Sequence, residues 1–282
     1  MSSPVLTYIT TCKGRLDHLR QTLPRVASQP GVSIVVVDYD CPEQSGRWVR
    51  ENFPEARVVR IERAPGFSPS IARNAGGHAA ATPWLAFFDA DILVSDGFFD
   101  TVVRSLASGH YYRPAPLTWQ TWGSVICERE AFQKIGGYDT VYEGWGGEDD
   151  DLYSLLDFAG IRAASFDGSA LSEIPHPDEM RTKFHSDGKS RSHQRNQLYC
   201  MAKFDLMRLN RSFMPLALRQ QVYAQIKAQL DKQYARGKSE MEIEILLPKS
   251  TIDFPLTEEP SGQKGFTHIG RKLHYSINWD QE

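Results

Sequence analysis

Two acidic clusters carry the residues best suited to chemistry. The first, FFDADILV, sets Asp89 and Asp91 on either side of Ala90 at the end of an apolar run. In an extended chain, residues two apart project to the same side, so the two carboxylates would meet. Two like charges that close raise each other's pKa unless a cation joins them. Hard carboxylate oxygens suit Mg²⁺ or Mn²⁺, and a metal with open positions can bridge phosphates. The alternative for this short motif is a solvated strand end making a turn. The second cluster, GWGGEDDDL, places Glu148, Asp149, Asp150 and Asp151 behind Trp145 and the glycines 144, 146 and 147. Glycines let a loop pass close to a ligand and adopt positive φ. Four acids at a helix start also have a purely structural use, worth about 0.3–1 kcal/mol each against the helix dipole. Between the clusters, SPSIARNAGGHAA puts Arg73 and Asn74 on a helix just before the first acidic strand end. A guanidinium suits fixed recognition of a phosphate, and the paired glycines allow close helix packing.

The elements that must hold these residues alternate strand and helix. Strands are predicted over Val5–Thr10, Val32–Asp38, Ala56–Ile61 and Trp84–Asp89. Val32–Asp38 is a nearly continuous β-branched run, as expected of a strand buried on both faces. Leu16, Leu19, Leu23 and Val26 recur at helical spacing. Ser70 is positioned to cap the helix carrying Ile71, Ala72, Ala75 and Ala79, and Ser95 one carrying Phe99, Val102, Val103 and Leu106. This rhythm predicts an α/β fold with a mostly parallel central sheet and flanking helices. Such sheets bind ligands at the carboxyl ends of their strands, where Thr10, Thr11, Asp38, Asp89 and Asp91 fall.

The second half is less regular. GSVICERE suggests a strand and KIGGYD a turn. Leu152, Leu155, Leu156 and Ala159 mark a helix after the acidic run. Residues 172–200, rich in His, Arg, Lys and Ser, suggest loop. Pro215 opens a helix with Val222, Ile226, Leu230 and Tyr234 on one stripe, and MEIEILL suggests a late strand. The expected organisation is one domain over 1–205, with a nucleotide-binding half to 107 and an acceptor and catalytic half from 108. A C-terminal helical extension, 206–282, packs on it.

Composition narrows the function. With 282 residues and 41% hydrophobic content the chain can bury a substantial core. A net charge of −3 argues against nucleic acid as a partner. No apolar run is long enough to span a membrane, and no signal sequence opens the chain, so contact with a membrane is at most peripheral. Four scattered cysteines without a CxxC pair suit reduced thiols and a cytoplasmic setting.

The order strand, S-x-A-R-N-x-G helix, strand, D-x-D resembles GT-A fold glycosyltransferases of the inverting family-2 type, over roughly Val5 to His185. That resemblance implies a Rossmann-like nucleotide-sugar site. It implies Asp91 as a metal ligand, Asp89 at the ribose or metal, and an Asp ending the second strand on the base. VVVDYDCPE offers both Asp38 and Asp40 for that last role. GWGGEDDDL is similar, over nine residues without a gap, to the same stretch of animal β-1,4-galactosyltransferases and related N-acetylgalactosaminyltransferases. CKGRLDHL is similar to their Arg-x-x-His-Leu segment. These likenesses imply Asp149 as catalytic base, Glu148 and Trp145 as sugar contacts, and Thr11 and Arg15 near the nucleotide. They imply His176 as a further metal ligand; where those enzymes add a methionine, Ile174 and its neighbours stand here.

The chemistry such a transfer needs is present. A base must take the acceptor hydroxyl proton on the face opposite the leaving diphosphate. A cation, Mn²⁺ or Mg²⁺, must offset the charge that gathers on that diphosphate. An indole such as Trp145 can stack on the C–H face of a sugar. His185 is a second choice of ligand, and Lys189, Arg191 and Arg195 either close over the diphosphate or form a solvated basic loop. The expected activity is transfer of a hexose or N-acetylhexosamine, with galactose or N-acetylgalactosamine favoured, from a UDP-sugar to a glycan or glycolipid acceptor. Surface polysaccharide or lipid-linked oligosaccharide assembly in the cytoplasm, at most peripheral to the inner membrane, would fit. A nucleotidyltransferase is the second enzymatic option, though TTCKGRLDHL has only Gly14 where those enzymes carry a Gly-rich loop. A non-catalytic sugar-nucleotide-binding protein is the third.

Overall fold

A computed structural model describes residues 4–185, 187–236, 240–247 and 271–278. The chain forms two compact units, Met1–Lys189 and Ser190–Glu282.

The first unit runs β1 (Leu6–Cys12), α1 (Leu16–Ala27), β2 (Val32–Tyr39), α2 (Ser45–Asn52), β3 (Arg57–Ile61), α3 (Pro69–Ala79) and β4 (Trp84–Phe87). It continues through β5 (Ile92–Val94), α4 (Phe98–Ser105), β6 (His110–Ala115), β7 (Val125–Glu128) and α5 (Arg129–Lys134). It ends with α6 (Glu148–Phe158), β8 (Arg162–Asp167), β9 (Leu171–Glu173) and α7 (Glu179–Thr182). Seven strands form one sheet in the order β3-β2-β1-β4-β7-β6-β8. Four of its pairings are parallel and only β7 runs antiparallel to its neighbours β4 and β6. The expected mostly parallel α/β sheet with flanking helices is therefore what the chain forms.

Strand alternation explains the uninterrupted apolar runs. In β2, Val36 faces a core with Leu19, Leu23 and Phe99, whereas Val35 and Val37 face another with Ala72, Phe132 and Leu156. Helices α1, α2 and α4 thus cover one face and α3, α5 and α6 the other. Each fully buried side chain of this size stabilises by about 1.5–3 kcal/mol. Helix α3 lies close to the sheet through its glycines: a Cβ on Gly76 would overlap Ile9, and one on Gly77 would lie 2.7 Å from the Phe132 ring.

Two caps differ from expectation. Ser68, not Ser70, caps α3 by accepting from the Ile71 N–H, with Pro69 in the first turn, and Ser70 is buried. Gly97 at φ 73°, not Ser95, precedes α4. A two-stranded antiparallel ribbon, β5 with β9, was not anticipated, because three-residue strands carry too little pattern to be seen.

The second unit holds α8 (Lys189–Asn210), α9 (Leu216–Tyr234), β10 (Glu240–Leu247) and β11 (Arg271–Asn278). Helix α8 corrects one expectation, because its first half was read as loop; residues 205 and 206, on either side of the expected boundary, both lie within it. Its buried stripe begins with Ser192, Arg195 and Asn196 before Leu198, Tyr199 and Ala202, so polar residues hide the helical period. Arg195 donates to the Tyr223 hydroxyl at 2.7 Å, and Arg191 pairs with Asp231 at 3.2 Å. Strands β10 and β11 form an antiparallel hairpin, and the second was not legible in the tail; residues 255–270 of that tail lie outside the described residues.

The edge of β10 is covered by side chains. Gln225, Gln229 and Gln233 of α9 each donate to a β10 carbonyl and accept from the same residue's N–H, at Leu246, Glu244 and Glu242 respectively. Four helical residues rise about 6 Å and two strand residues about 6.8 Å, so the two periods nearly match. Among the described residues, no helix is long and apolar enough to cross a membrane.

Candidate active site

The acidic run opens α6. Gly144, Gly146 and Gly147 all have positive φ (78°, 83° and 94°), which turns the chain into the helix with Gly147 at its N-cap. The four acids then diverge as successive residues of a helix must. Glu148 and Asp149 reach Arg73 at 3.2 and 3.0 Å. Asp150 accepts from the Trp122 indole N–H at 2.9 Å, and Asp151 from the Tyr142 hydroxyl at 3.2 Å. The run is tolerated because Glu148 and Asp149 share the Arg73 cation while Asp150 and Asp151 each turn to a separate donor.

Arg73 is the hub. Its side chain is only 7% exposed and also binds Asp89 at 2.8 Å. The guanidinium expected to meet a phosphate instead faces three carboxylates, which could not converge without a counter-ion. Burial opposes the charge on Arg73, but the carboxylates around it, Asp149 foremost, push its pKa further up. Burial raises the Asp89 carboxyl, and Arg73 more than reverses this, holding it below its ordinary value. For Asp149 the balance falls the other way. Burial, with the charges of Glu148, Asp89 and Asp150, outweighs Arg73 and pushes it up to about 8. Asn74, beside Arg73, clamps the loop after α5 by bonding both ways to the Tyr138 backbone at 2.8 Å.

Asp89 and Asp91 do not act as a pair. The chain turns after Phe88, and the Ile92 N–H returns to the Asp89 carbonyl at 3.1 Å. Asp91 thus faces a different group of side chains. Its Oδ2 lies 2.7 Å from His176 Nε2 and accepts from Arg15 at 2.7 Å. The β5–β9 ribbon explains the meeting: Ile92 stands opposite Glu173, and the Ile174 N–H donates to the Asp91 carbonyl at 2.8 Å. One ligand-type atom each from Asp91, Glu173 and His176 lies within 4.8 Å of the others. The structure thus brings together Asp91 and His176, both named from the sequence, and adds Glu173, the neighbour of Ile174, which was not. His185 lies elsewhere, against Phe67.

This group suits a divalent cation. His176 Nδ1 lies 3.0 Å from the Pro177 carbonyl, which fixes the ring with Nε2 toward the Asp91 carboxylate. A backbone-held imidazole with two carboxylates is a donor set that Mn²⁺ or Mg²⁺ accepts. The His18 ring lies beside that of His176, with centroids 5.4 Å apart and planes tilted by 31°.

The other expected donor contacts are placed unevenly. Arg15 joins the Asp91–His176 group, its guanidinium 3.3 Å from His176 Nε2. Thr11 is half-buried, but Thr10, between Ile9 and the end of β1, is fully buried. Asp38 is also fully buried, with both oxygens taken by the Cys41 and Gly46 N–H groups at 2.8 and 2.7 Å. It anchors the loop after β2. Asp40 is the more accessible of the two and accepts from the Ala64 N–H at 3.1 Å. Lys13, missed in the sequence, binds the carbonyls of Tyr39, Asp40 and Ala64 and fastens this corner. Beside the acids, Trp145 lies under the Lys189 ammonium, 4.6 Å from its ring centre, and Lys189 bonds Asp178.

Two family models match the chain, one described as glycosyl transferase family 2 over residues 7–112 and the other as the N-terminal domain of galactosyltransferase over residues 104–183. β-1,4-Galactosyltransferase 5 of Danio rerio is 30% identical over 108 residues, 37% of this chain. The chain spans only 26% of that relative's length. Among solved structures, S. aureus TarS 1–349 superposes with a TM-score of 0.55 at 12% identity, covering 83% of this chain and 73% of that one. The mannosyltransferase PcManGT from Pyrobaculum calidifontis, in complex with GDP-Man and Mn²⁺, gives 0.54 at 15% identity, covering 85% and 77%. The fold is the GT-A fold of these glycosyltransferases.

Proposed function

We propose that the chain is an inverting, metal-dependent glycosyltransferase that moves a hexose or N-acetylhexosamine from a UDP-sugar to a glycan or glycolipid acceptor. Galactose and N-acetylgalactosamine are the favoured donor sugars. The observation that carries this is Asp149: a carboxyl pushed up to about 8, at the start of α6, tied through Arg73 to the Asp89 that begins the D-x-D turn.

Each residue then has a task. Asp149 takes the proton of the acceptor hydroxyl as that oxygen bonds the anomeric carbon. The bond from that carbon to the diphosphate breaks on the opposite face, and UDP leaves with the electron pair. A carboxyl titrating near working pH is matched to this use. Arg73 sets the carboxylate's orientation and keeps Asp89 ionised. Glu148 and Trp145 position the acceptor sugar, the indole by stacking. Arg15 and Thr11 lie on the diphosphate side, and Asp40, rather than the anchored Asp38, reads the base. Asp91, Glu173 and His176 would hold Mn²⁺ or Mg²⁺, which when bound offsets the negative charge on the leaving diphosphate. Work at a membrane surface is at most peripheral, and a cytoplasmic setting fits.

UDP release from a panel of UDP-sugars, each with Mn²⁺ and with EDTA, tests the reading. Metal-dependent release from one donor is the expected result. No release from any donor, with or without simple sugar acceptors, would overturn the transferase reading and favour sugar-nucleotide binding without turnover.

A further inference from the structure

The transferase reading accounts for Trp145, Glu148 and Asp149 but leaves Trp119 without a task. Trp119 is 60% exposed, whereas Trp122 and Trp145 are half-buried. The turn that carries it is pinned. The Thr118 and Thr121 hydroxyls bond each other at 3.0 Å, and each also accepts from the other residue's N–H, at 3.3 and 3.2 Å. Trp119 and Gln120 are the outer residues of this turn.

The same segment is fastened to the acidic run. The Trp122 indole N–H reaches Asp150, and Gly123 lies so near the base that a Cβ there would sit 3.0 Å from Asp149 Oδ2. Trp119 is thereby held at a set place relative to Asp149. Its ring centre lies 6.4 Å from that of Trp145 and 6.1 Å from that of Trp122, tilted 46° and 47°. The three indoles form one bent aromatic surface that starts beside the base and ends at an exposed ring. A lone exposed aromatic needs no explanation, but a contiguous apolar surface marks an interaction site.

The charges nearby indicate what the surface holds. Arg113 is sandwiched between the rings of Trp122 and Tyr153, 4.7 and 3.9 Å from their centres, and Lys189 is bonded to Asp178. The exposed end of the surface therefore offers ring faces rather than a cation, which suits the C–H face of a neutral pyranose better than a phosphate. We propose that Trp119 forms a second acceptor subsite, stacking on the sugar next to the one that receives transfer, so that the acceptor is an oligosaccharide of at least two rings. This rests on the transferase reading for the end of the ligand that reacts.

The test compares matched acceptors that share a non-reducing sugar: N-acetylglucosamine with chitobiose, glucose with cellobiose, and xylose with xylobiose. Acceptor-dependent UDP release is measured with the active UDP-sugar and Mn²⁺. In the wild type, kcat/KM for the disaccharide of the preferred pair is expected to exceed the monosaccharide's by about tenfold, in line with the worth of an added ring contact. Trp119→Ala is expected to reduce that ratio to about one and Trp119→Phe to retain most of it, while Trp145→Ala lowers both acceptors and leaves the ratio standing. A ratio near one for every pair in the wild type, or a ratio that survives Trp119→Ala, overturns the subsite. If no donor turns over, calorimetry with the same sugars in the presence of UDP and Mn²⁺ separates the two ideas. Disaccharide binding weakened by Trp119→Ala upholds the subsite without the transferase, and no disaccharide binding by the wild type overturns it.

Discussion

Arg73 and Asp149, 76 positions apart in sequence, meet at 3.0 Å, and the same guanidinium spans to Asp89 at 2.8 Å. One buried cation thus ties the D-x-D turn to the start of α6. The two acidic clusters are halves of one electrostatic unit, and the S-x-A-R-N-x-G helix between them supplies its centre.

Arg73→Ala is expected to cost about 3–5 kcal/mol of stability, because it leaves carboxylates facing one another at a nearly buried site. The loss should be smaller at pH 5 than at pH 9, since protonation relieves the repulsion. Urea unfolding at both pH values checks this. An equal loss at both would mean that packing against the Tyr138 ring, 5.2 Å away, matters more than charge.

For the cation group, Glu173→Ala and His176→Ala should each weaken Mn²⁺ by at least about tenfold, the lower range for loss of a supporting group around a metal. Glu173→Met should keep Mn²⁺ better than Mg²⁺, because a thioether is a softer donor than a carboxylate. Mn²⁺ titration by calorimetry in the presence of UDP reads both. Unchanged Mn²⁺ affinity in Glu173→Ala would remove that residue from the ligand set.

How much of this could be read from residues alone follows from how local each feature is. The sheet was legible because strands buried on both faces, such as Val32–Tyr39, carry an apolar, β-branched run, here Ile34 to Val37. The opposed acids were legible as clusters, but their division of labour was not, since Asp89 and Asp91 part company at a turn set by the β5–β9 ribbon. Glu173 was hidden for the same reason. Arg73 was seen as a phosphate ligand because its three carboxylate partners are distant in sequence. Asp38 carried the right residue type at the right strand end, yet two backbone N–H groups use both of its oxygens.

The glutamine ladder on α9 predicts a local cost. Gln229→Ala removes both bonds to Glu244 of β10 and leaves its N–H and carbonyl half-covered, worth about 1–3 kcal/mol. Hydrogen exchange at the Glu244 amide should quicken more than at Ile243, whose N–H is not held by a glutamine. Equal exchange at the two would show that the strand edge does not depend on these side chains.

The pH dependence of turnover tests the base most directly. Asp149 must be ionised to take a proton, and its carboxyl is held up to about 8 by burial and by its acidic neighbours against the pull of Arg73. Raising the pH through that value converts the inactive acid to the active base, so kcat/KM should climb on a limb with an apparent pKa near 8 and then level. Ordinary carboxyl behaviour would instead give a flat profile above about pH 5. Asp149→Asn should lower kcat by about 10²–10⁴-fold, the usual range for a lost general base, while UDP binding with Mn²⁺ is retained. It should also abolish the limb. A limb near 8 that persists in Asp149→Asn would assign the titration, and the base, to another group.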